Sequence, residues 1–305
     1  MKILVTGGTG FLGYNTILRL LSDGHSVFAL VRRHGTNLSL VKHSRLHLLY
    51  GSLEEIESLR CETDIDSCIH FAWGGVNRDG VNNKVIQQQN VINTLNLLSY
   101  LKGHQCRYFI DAGSRQEYAP CEGPISEEAP CNPVSEYGKW KLESYHEVCD
   151  HINNFMGYAH LRIFSTYGYG DHPWSLINTS IEKMIKSEPM ELGLCRHFWS
   201  FLYIDDFTNL LSLMISCSKN EKRKEVYNVG SGFIQPLCYF VNSIKSIASS
   251  DSLLQFGKFT ENKESTFSLI PDVSKANCKF GWNEKITFEN GIKTIIKLKN
   301  YDKSK

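Results

Sequence analysis

The sequence predicts an α/β fold, with an N-terminal doubly wound parallel sheet and a smaller C-terminal α/β lobe. Three observations carry this. Short apolar, β-rich runs alternate with stretches of helical periodicity as far as residue 165. The first run, KILVTG, leads straight into a glycine loop, TGGTGFLG. After Tyr167 the texture changes to loops, short strands and scattered helices.

The elements follow in order. KILVTG is the first strand, and NTILRLLSDG is a helix that stops at Gly24, a residue suited to a helix C-terminus. SVFALV, LHLLYG and SCIHFAW are the next three strands. NVINTLNLLSYLKG is a helix with Ile92, Leu95, Leu98 and Leu101 at helical spacing. CRYFIDAG is a strand, SEYGKWKLESYHEVCDHI a helix and AHLRIFS a strand. Continuous apolar strands joined by helices imply a buried parallel sheet with right-handed crossovers. Beyond Tyr167, SLINTSIEKMIKS is a helix, FWSFLYIDDFTNLLSLMI a strand running into a helix, and EVYNVGSG a strand and turn. Residues 1–167 are expected to form the first domain, with 201–229 returning to it. Residues 168–200 and 230–305 form the second lobe.

Bulk composition narrows the function. The chain has 305 residues, 42% hydrophobic and 21% charged, an ordinary globular balance with room for real cores. A net charge of +1 gives no footprint for nucleic acid. No stretch approaches the roughly 20 apolar residues of a membrane span, and the N-terminal apolar run is too short for a secretory segment. A cytoplasmic protein is expected. None of the ten cysteines forms a C-x-x-C or sits at zinc-finger spacing, so free thiols and no metal are expected. Cys121 and Cys131 flank a loop and would pair only under oxidation. The basic tail KLKNYDKSK reads as a solvated helix end.

The glycine loop places Gly7, Gly10 and Gly13 at G-x-x-G-x-x-G spacing between the first strand and the first helix. Glycines there let the backbone turn tightly and approach a pyrophosphate, which the helix N-terminus can hold through unpaired N–H groups. This position favours dinucleotide binding over a plain turn. The second strand ends in Val31, Arg32 and Arg33, where a carboxylate would meet the ribose hydroxyls of NAD. Two cations suit a 2′-phosphate, so NADP(H) is favoured and NAD(H) is the alternative. Farther on, SEYGKWK puts Tyr137 and Lys141 one helical turn apart on one face. By itself this is either a solvated turn or a proton donor beside the cation that tunes it.

Together these features resemble the extended short-chain dehydrogenase/reductase family, the nucleotide-sugar epimerases, dehydratases and ketoreductases. The resemblance rests on TGGTGFLG, IHFAW at 69–73, Asn90, GS at 113–114 with EYAP after it, and SEYGKWK. It continues through LRIFSTYGYGD at 161–171, FLYIDD at 201–206, YNVGSG at 227–232 and DVSKANCKFGW at 272–282. It implies a Rossmann-type first domain and the catalytic set Ser114, Tyr137 and Lys141. Ser114 would hold the substrate oxygen while Tyr137 gives or takes its proton. Lys141 would lower the phenol pKa, ordinarily about 10, and hold the cofactor ribose. The resemblance adds Phe11, Leu12, Ser52, Leu53, Phe71, Ala72, Trp73, Asn90 and Phe164 to the cofactor site. It places Ser114, Arg115, Asn178, Trp199 and Lys263 at the substrate. It also implies a homodimer built on the helix that follows the fourth strand and the helix carrying Tyr137.

Four departures from the family pattern inform the reaction. Arg115-Gln116 stand where dehydratases carry Asp-Glu, which argues against water elimination. Ser165 replaces an asparagine, and Ser52 an aspartate directed at the adenine. Trp199 replaces an arginine directed at substrate phosphate; Arg196 or Lys263 is a candidate to supply that charge, and Trp199 to stack on a base. The expected activity is NADP(H)-dependent reduction of a 4-keto-6-deoxy nucleotide sugar for surface-polysaccharide synthesis. The alternatives are an NAD-dependent nucleotide-sugar 4-epimerase and, from another class, a non-catalytic nucleotide-binding regulator.

Overall fold

Seven parallel strands form the central sheet of the computed structural model, which describes residues 1–32, 37–77, 79–121, 123–152, 155–218, 221–259 and 269–303. They are β1 (Lys2–Thr6), β2 (Ser26–Val31), β3 (Leu46–Tyr50), β4 (Ser67–His70), β5 (Tyr108–Ser114), β6 (Gly157–Ile163) and β7 (Lys224–Val229). Their spatial order is β7-β6-β5-β4-β1-β2-β3. The order reverses between β1 and β4, and in such sheets ligands bind in the crevice outside the strand C-termini at that point. The central strands are buried on both faces, which is why their sequences read as unbroken apolar runs.

Helices cover both faces. α1 (Phe11–Ser22) ends as the sequence predicts, with Gly24 at φ +88°. α2 (Lys84–Gly103) begins several residues before the apolar periodicity, because Asn83 caps it: Asn83 Oδ1 accepts the Ile86 N–H at 3.3 Å. α3 (Glu136–Ile152) packs beside α2. Leu97, Leu98, Leu101, Val148 and Ile152 there join Leu4, Phe109 and Tyr158 in one core. Val85, Ile86 and Ile92 of α2 stay exposed.

α4 (Leu176–Ile185) leads into α5 (Ile204–Cys217), which lies against α1. Ser212 Oγ donates to Asp23 Oδ2 at 2.6 Å, and Arg19 Nη2 to Asn209 Oδ1 at 3.1 Å. β7 then pairs with β6. The described residues of segment 201–229 therefore pack against α1 and pair with β6. The C-terminal part carries α6 (Leu237–Ile247), α7 (Ser274–Phe280) and α8 (Phe288–Lys303), with short two-residue ladders between them. Asp206 ties this part to α5: its carboxylate accepts the Lys285 and Ile286 N–H groups at 3.1 and 2.9 Å. All ten cysteines are free, Cys121 and Cys131 included. Among the described residues no helix is long and apolar enough to cross a membrane, and no side-chain cluster could hold a metal ion.

Candidate active site

The glycine loop sits at the crevice mouth. Gly7 has φ +68°, and a Cβ there would lie 2.7 Å from the Ala72 backbone N, so only glycine lets the loop meet the chain leaving β4. A Cβ on Gly13 would lie 2.3 Å from Gly7 O. Gly10 precedes α1 with no side-chain cap, and the first turn of α1 carries no acidic residue. The positive helix end is thus left to an anion, which fits a dinucleotide pyrophosphate. Phe11 and Leu12 open the helix. Arg32 is exposed just past β2. Arg33 lies outside the described residues. Leu53 packs into the core below β3, with Ser52 beside it in the loop. Phe71, Ala72 and Trp73 form the loop leaving β4. Asn90 spends both ends of its amide on that loop, accepting the Gly74 N–H at 2.7 Å and donating to Gly74 O at 3.0 Å.

β5 and α3 bring Ser114, Tyr137 and Lys141 together across the sheet edge. Ser114 is the last residue of β5 and caps the turn that follows, its Oγ accepting the Gln116 N–H at 3.2 Å. Tyr137 enters α3 with its N–H on Val81 O at 3.0 Å. Lys141 is buried and donates from Nζ to Ala112 O at 2.6 Å, with Nζ 5.8 Å from the Tyr137 ring centre. Burial lowers its pKa to about 8, opposed by Asp111 and Glu117. The Tyr137 phenol departs from expectation. Burial pushes it up to about 12, outweighing the hydrogen bond with Ser114 and the charge of Arg115. It stands as a neutral phenol, ready to donate.

Behind this set lies an ionic cluster that the sequence reading missed. Asp111, Glu117, His160 and Arg162 are all buried. His160 Nδ1 meets Asp111 Oδ1 at 2.7 Å and Nε2 meets Glu117 Oε2 at 2.9 Å. Each ring nitrogen faces a carboxylate, so the ring is held as imidazolium. Arg162 Nε donates to Glu117 Oε2 at 2.9 Å, and the Ser114 N–H to Glu117 Oε1 at 2.6 Å. Tyr158 adds its hydroxyl to Asp111 Oδ1 at 3.0 Å. The available signal was three ionisable residues on strands that read as fully buried, Asp111 in CRYFIDAG and both His160 and Arg162 in AHLRIFS.

A cleft of about 750 Å³ opens beside Ser114, between the ends of β5 and β6 and the C-terminal part. Arg115, Ser165 and Trp199, three of the four departures, form one unit in its wall. Trp199 Nε1 donates to Ser165 Oγ at 2.9 Å, and the Arg115 guanidinium lies 5.0 Å from the Trp199 ring centre. Among the described residues that guanidinium forms no hydrogen bond or ion pair. Arg196 is exposed and does not line the cleft; Lys263 lies outside the described residues. Gln116 accepts from Ser135 Oγ at 2.7 Å. Phe164 lines the cleft. Asn178 lies behind the rim, donating to Asp171 O and His172 O at 2.8 and 3.1 Å. Of the described carboxylates only Asp171 lines the cleft; Glu117 faces the core.

Known proteins share this frame. The NAD dependent epimerase/dehydratase family pattern matches residues 3–230. The CDP-abequose synthase of Salmonella muenchen is 25% identical over 98% of both chains. The UDP-glucose 4-epimerase of Corynebacterium glutamicum is 23% identical over 97% of this chain and 94% of its own. The UDP-glucose 4-epimerase structure from Thermotoga maritima, solved with UDP-glucose, superposes with a TM-score of 0.86 at 22% identity, covering 99% of each chain.

The ionic cluster makes a pH prediction. The His160 pKa is raised to about 9, burial being outweighed by Asp111 and Glu117. A raised pKa means stability that is complete below the ordinary value of about 6.5 and lost as pH rises through about 9. The imidazole ring signals of His160 should therefore stay in the protonated position at pH 7.5 in an NMR titration, moving only near pH 9. A midpoint near 6.5 would contradict the geometry.

Proposed function

The chain belongs to the NAD-dependent epimerase/dehydratase family, and from that premise we propose that it reduces a 4-keto-6-deoxy nucleotide sugar with NADP(H) as hydride donor. The observation that carries this reading is the wall of the cleft beside Ser114. A neutral phenol at Tyr137 stands near Arg115, which with Gln116 occupies the positions where an eliminating enzyme would need a carboxylate pair, and Arg115 lies over Trp199, itself bonded to Ser165. The full-length similarity to a CDP-abequose synthase supports it.

In this reading Ser114 holds the substrate carbonyl oxygen through its hydroxyl and Tyr137 delivers the proton to it. Lys141 keeps positive charge beside the phenol as the proton leaves, which offsets the phenolate that forms. Gly7, Gly10 and Gly13, with Arg32 and Arg33, hold the dinucleotide, which when bound supplies the hydride. Arg115 replaces the missing cation at position 199 and takes the anionic part of the substrate. Its planar guanidinium stacks on Trp199 and keeps its N–H edge for a phosphate.

A 4-epimerase uses the same residues but returns the hydride to the opposite face. The two differ in cofactor balance. With 4-keto-6-deoxy sugars of CDP, dTDP, UDP and GDP, a reductase consumes NADPH stoichiometrically, seen as lost absorbance at 340 nm. Interconversion of 4-epimers with no net consumption, by a chain purified with NAD, would favour the epimerase. Tyr137→Phe should keep cofactor affinity and lose roughly 10²–10⁴-fold in turnover.

Cofactor choice gives a second test. A charge-assisted bond to a 2′-phosphate contributes about 1.5–3 kcal/mol, or tenfold and more in affinity. Arg32→Ala/Arg33→Ala should weaken NADPH at least that much and NADH hardly at all, by calorimetric titration. Equal wild-type affinity for NADH and NADPH would remove the arginines from this role.

We also propose a homodimer through α2 and α3, supported by the exposed Val85, Ile86 and Ile92 on α2. Light scattering should give twice the chain mass; a species of 34.8 kDa alone would exclude it.

A further inference from the structure

The loop leaving β4 carries Trp73 to Lys141. The indole face lies under the ammonium, Nζ standing 3.6 Å from the ring centre. The ring also meets Tyr137 edge-on, at 6.3 Å between centres and 87° between planes. The indole is held in place. Its Nε1 donates to Gln87 Oε1 at 2.7 Å, and Gln87 is fully buried on α2. The other end of that amide donates to Gly75 O at 2.9 Å and Gly80 O at 3.0 Å. All of the Gln87 amide is thus spent on fixing the ring and the loop around it.

Lys141 needs such a neighbour. It is buried, it makes one hydrogen bond, to Ala112 O, and it forms no ion pair among the described residues. Asp111 on β5 and Glu117 after β5 favour its charged form, but both are bonded to His160. His70 on β4 faces it as a neutral ring, its own pKa lowered to about 4 by burial, and Tyr137 lies one turn back on α3. A carboxylate at the Trp73 position would hold the ammonium too, but would cancel its field at the phenol. An aromatic face attracts a cation without carrying net charge.

We propose that Trp73, oriented by Gln87, is a positioning residue of the proton-transfer pair: its indole face keeps Lys141 charged and aimed at Tyr137. This rests on the reading of Tyr137 and Lys141 as that pair, and the test separates the two. The Lys141 Nζ titration is followed by NMR in the chain without substrate, assigned with Lys141→Met. Trp73→Leu should lower the Lys141 midpoint by about one pH unit, the size of a desolvated cation–π contact. Trp73→Phe should lower it less, and Gln87→Leu should fall between, since the ring remains but is freed. In turnover the alkaline limb of kcat should move to lower pH by the same amount, with KM for the sugar little changed. An unmoved Lys141 midpoint in a folded Trp73→Leu chain would overturn the proposal, and so would an unmoved alkaline limb in an active one. Absence of turnover in the wild-type chain would instead count against the proposed reaction, leaving the lysine midpoint as the readout for the ring.

Discussion

Two carboxylates, Asp111 and Glu117, share the buried imidazole of His160, and the reactive edge of the sheet is arranged around that contact. Burying charges costs several kcal/mol each unless their partners are well placed, and removing one partner typically costs about 3–5 kcal/mol. The neighbourhood is constrained accordingly. Gly113 must be glycine, because a Cβ there would lie 2.3 Å from His160 Nε2 and 2.7 Å from Glu117 Oε1. Ser114 is held by its N–H on Glu117, and Ala112 presents its carbonyl to Lys141. Residues 111 to 114 are thus each committed, two to the cluster, one to its clearance and one to the lysine. The strand end that carries the hydroxyl has little freedom to shift.

This explains how a lysine can be kept beside a tyrosine without being neutralised. The nearest carboxylates are saturated by His160, Arg162 and Tyr158, so they lend a background field to Lys141 and no ion pair. The ammonium is left without an ion pair among the described residues, 5.8 Å from the phenol ring centre. On the cleft side the same logic recurs: Arg115 lies on the Trp199 face and keeps its hydrogen-bonding edge uncommitted. Two cations flank Ser114 and Tyr137, each resting on an indole.

Much of the frame was legible in the sequence. Strands buried on both faces read as continuous apolar runs, and the glycine loop announced itself by its place after β1. Gly24 ended α1 where its backbone freedom is needed. Less was legible where the signal is not periodic. The start of α2, KVIQQQ, mixes polar residues with exposed Val85 and Ile86 and shows no apolar periodicity, so only the Asn83 cap marks it. Ser114, Tyr137 and Lys141 could be located by motif, yet the contacts around them join residues far apart in the chain. His160 and Glu117 are separated by 43 positions, and Trp199 and Ser165 by 34. Trp73 was placed at the cofactor by its motif, but its contact with Lys141 depends on the path of the loop between β4 and α2. Arg115 was placed at the substrate by its motif, but its contact with Trp199 could not be read from the sequence. Ser165 and Trp199 looked like separate departures; in space each supplies the other's hydrogen-bond partner.

The cleft itself is set by packing that crosses from the sheet to the C-terminal helices. Tyr167, just after β6, meets Tyr203 at 5.3 Å and Phe288 at 5.2 Å. Phe240 meets Phe288 at 4.8 Å and Phe201 at 5.0 Å. All of these rings but Phe201 are buried, and aromatic pairs at such distances contribute about 0.5–1.5 kcal/mol each beyond their burial. Phe201 belongs both to this cluster and to the cleft wall, and Trp199 packs against it at 6.3 Å. The wall that carries the Arg115–Trp199 unit is therefore continuous with the core. The rim is less tied to that core: Trp174 is exposed and stacks on His172 at 4.6 Å, next to Asp171 and Ser175 of the cleft lining. The cleft thus joins a wall continuous with the core to a rim whose side chains reach solvent.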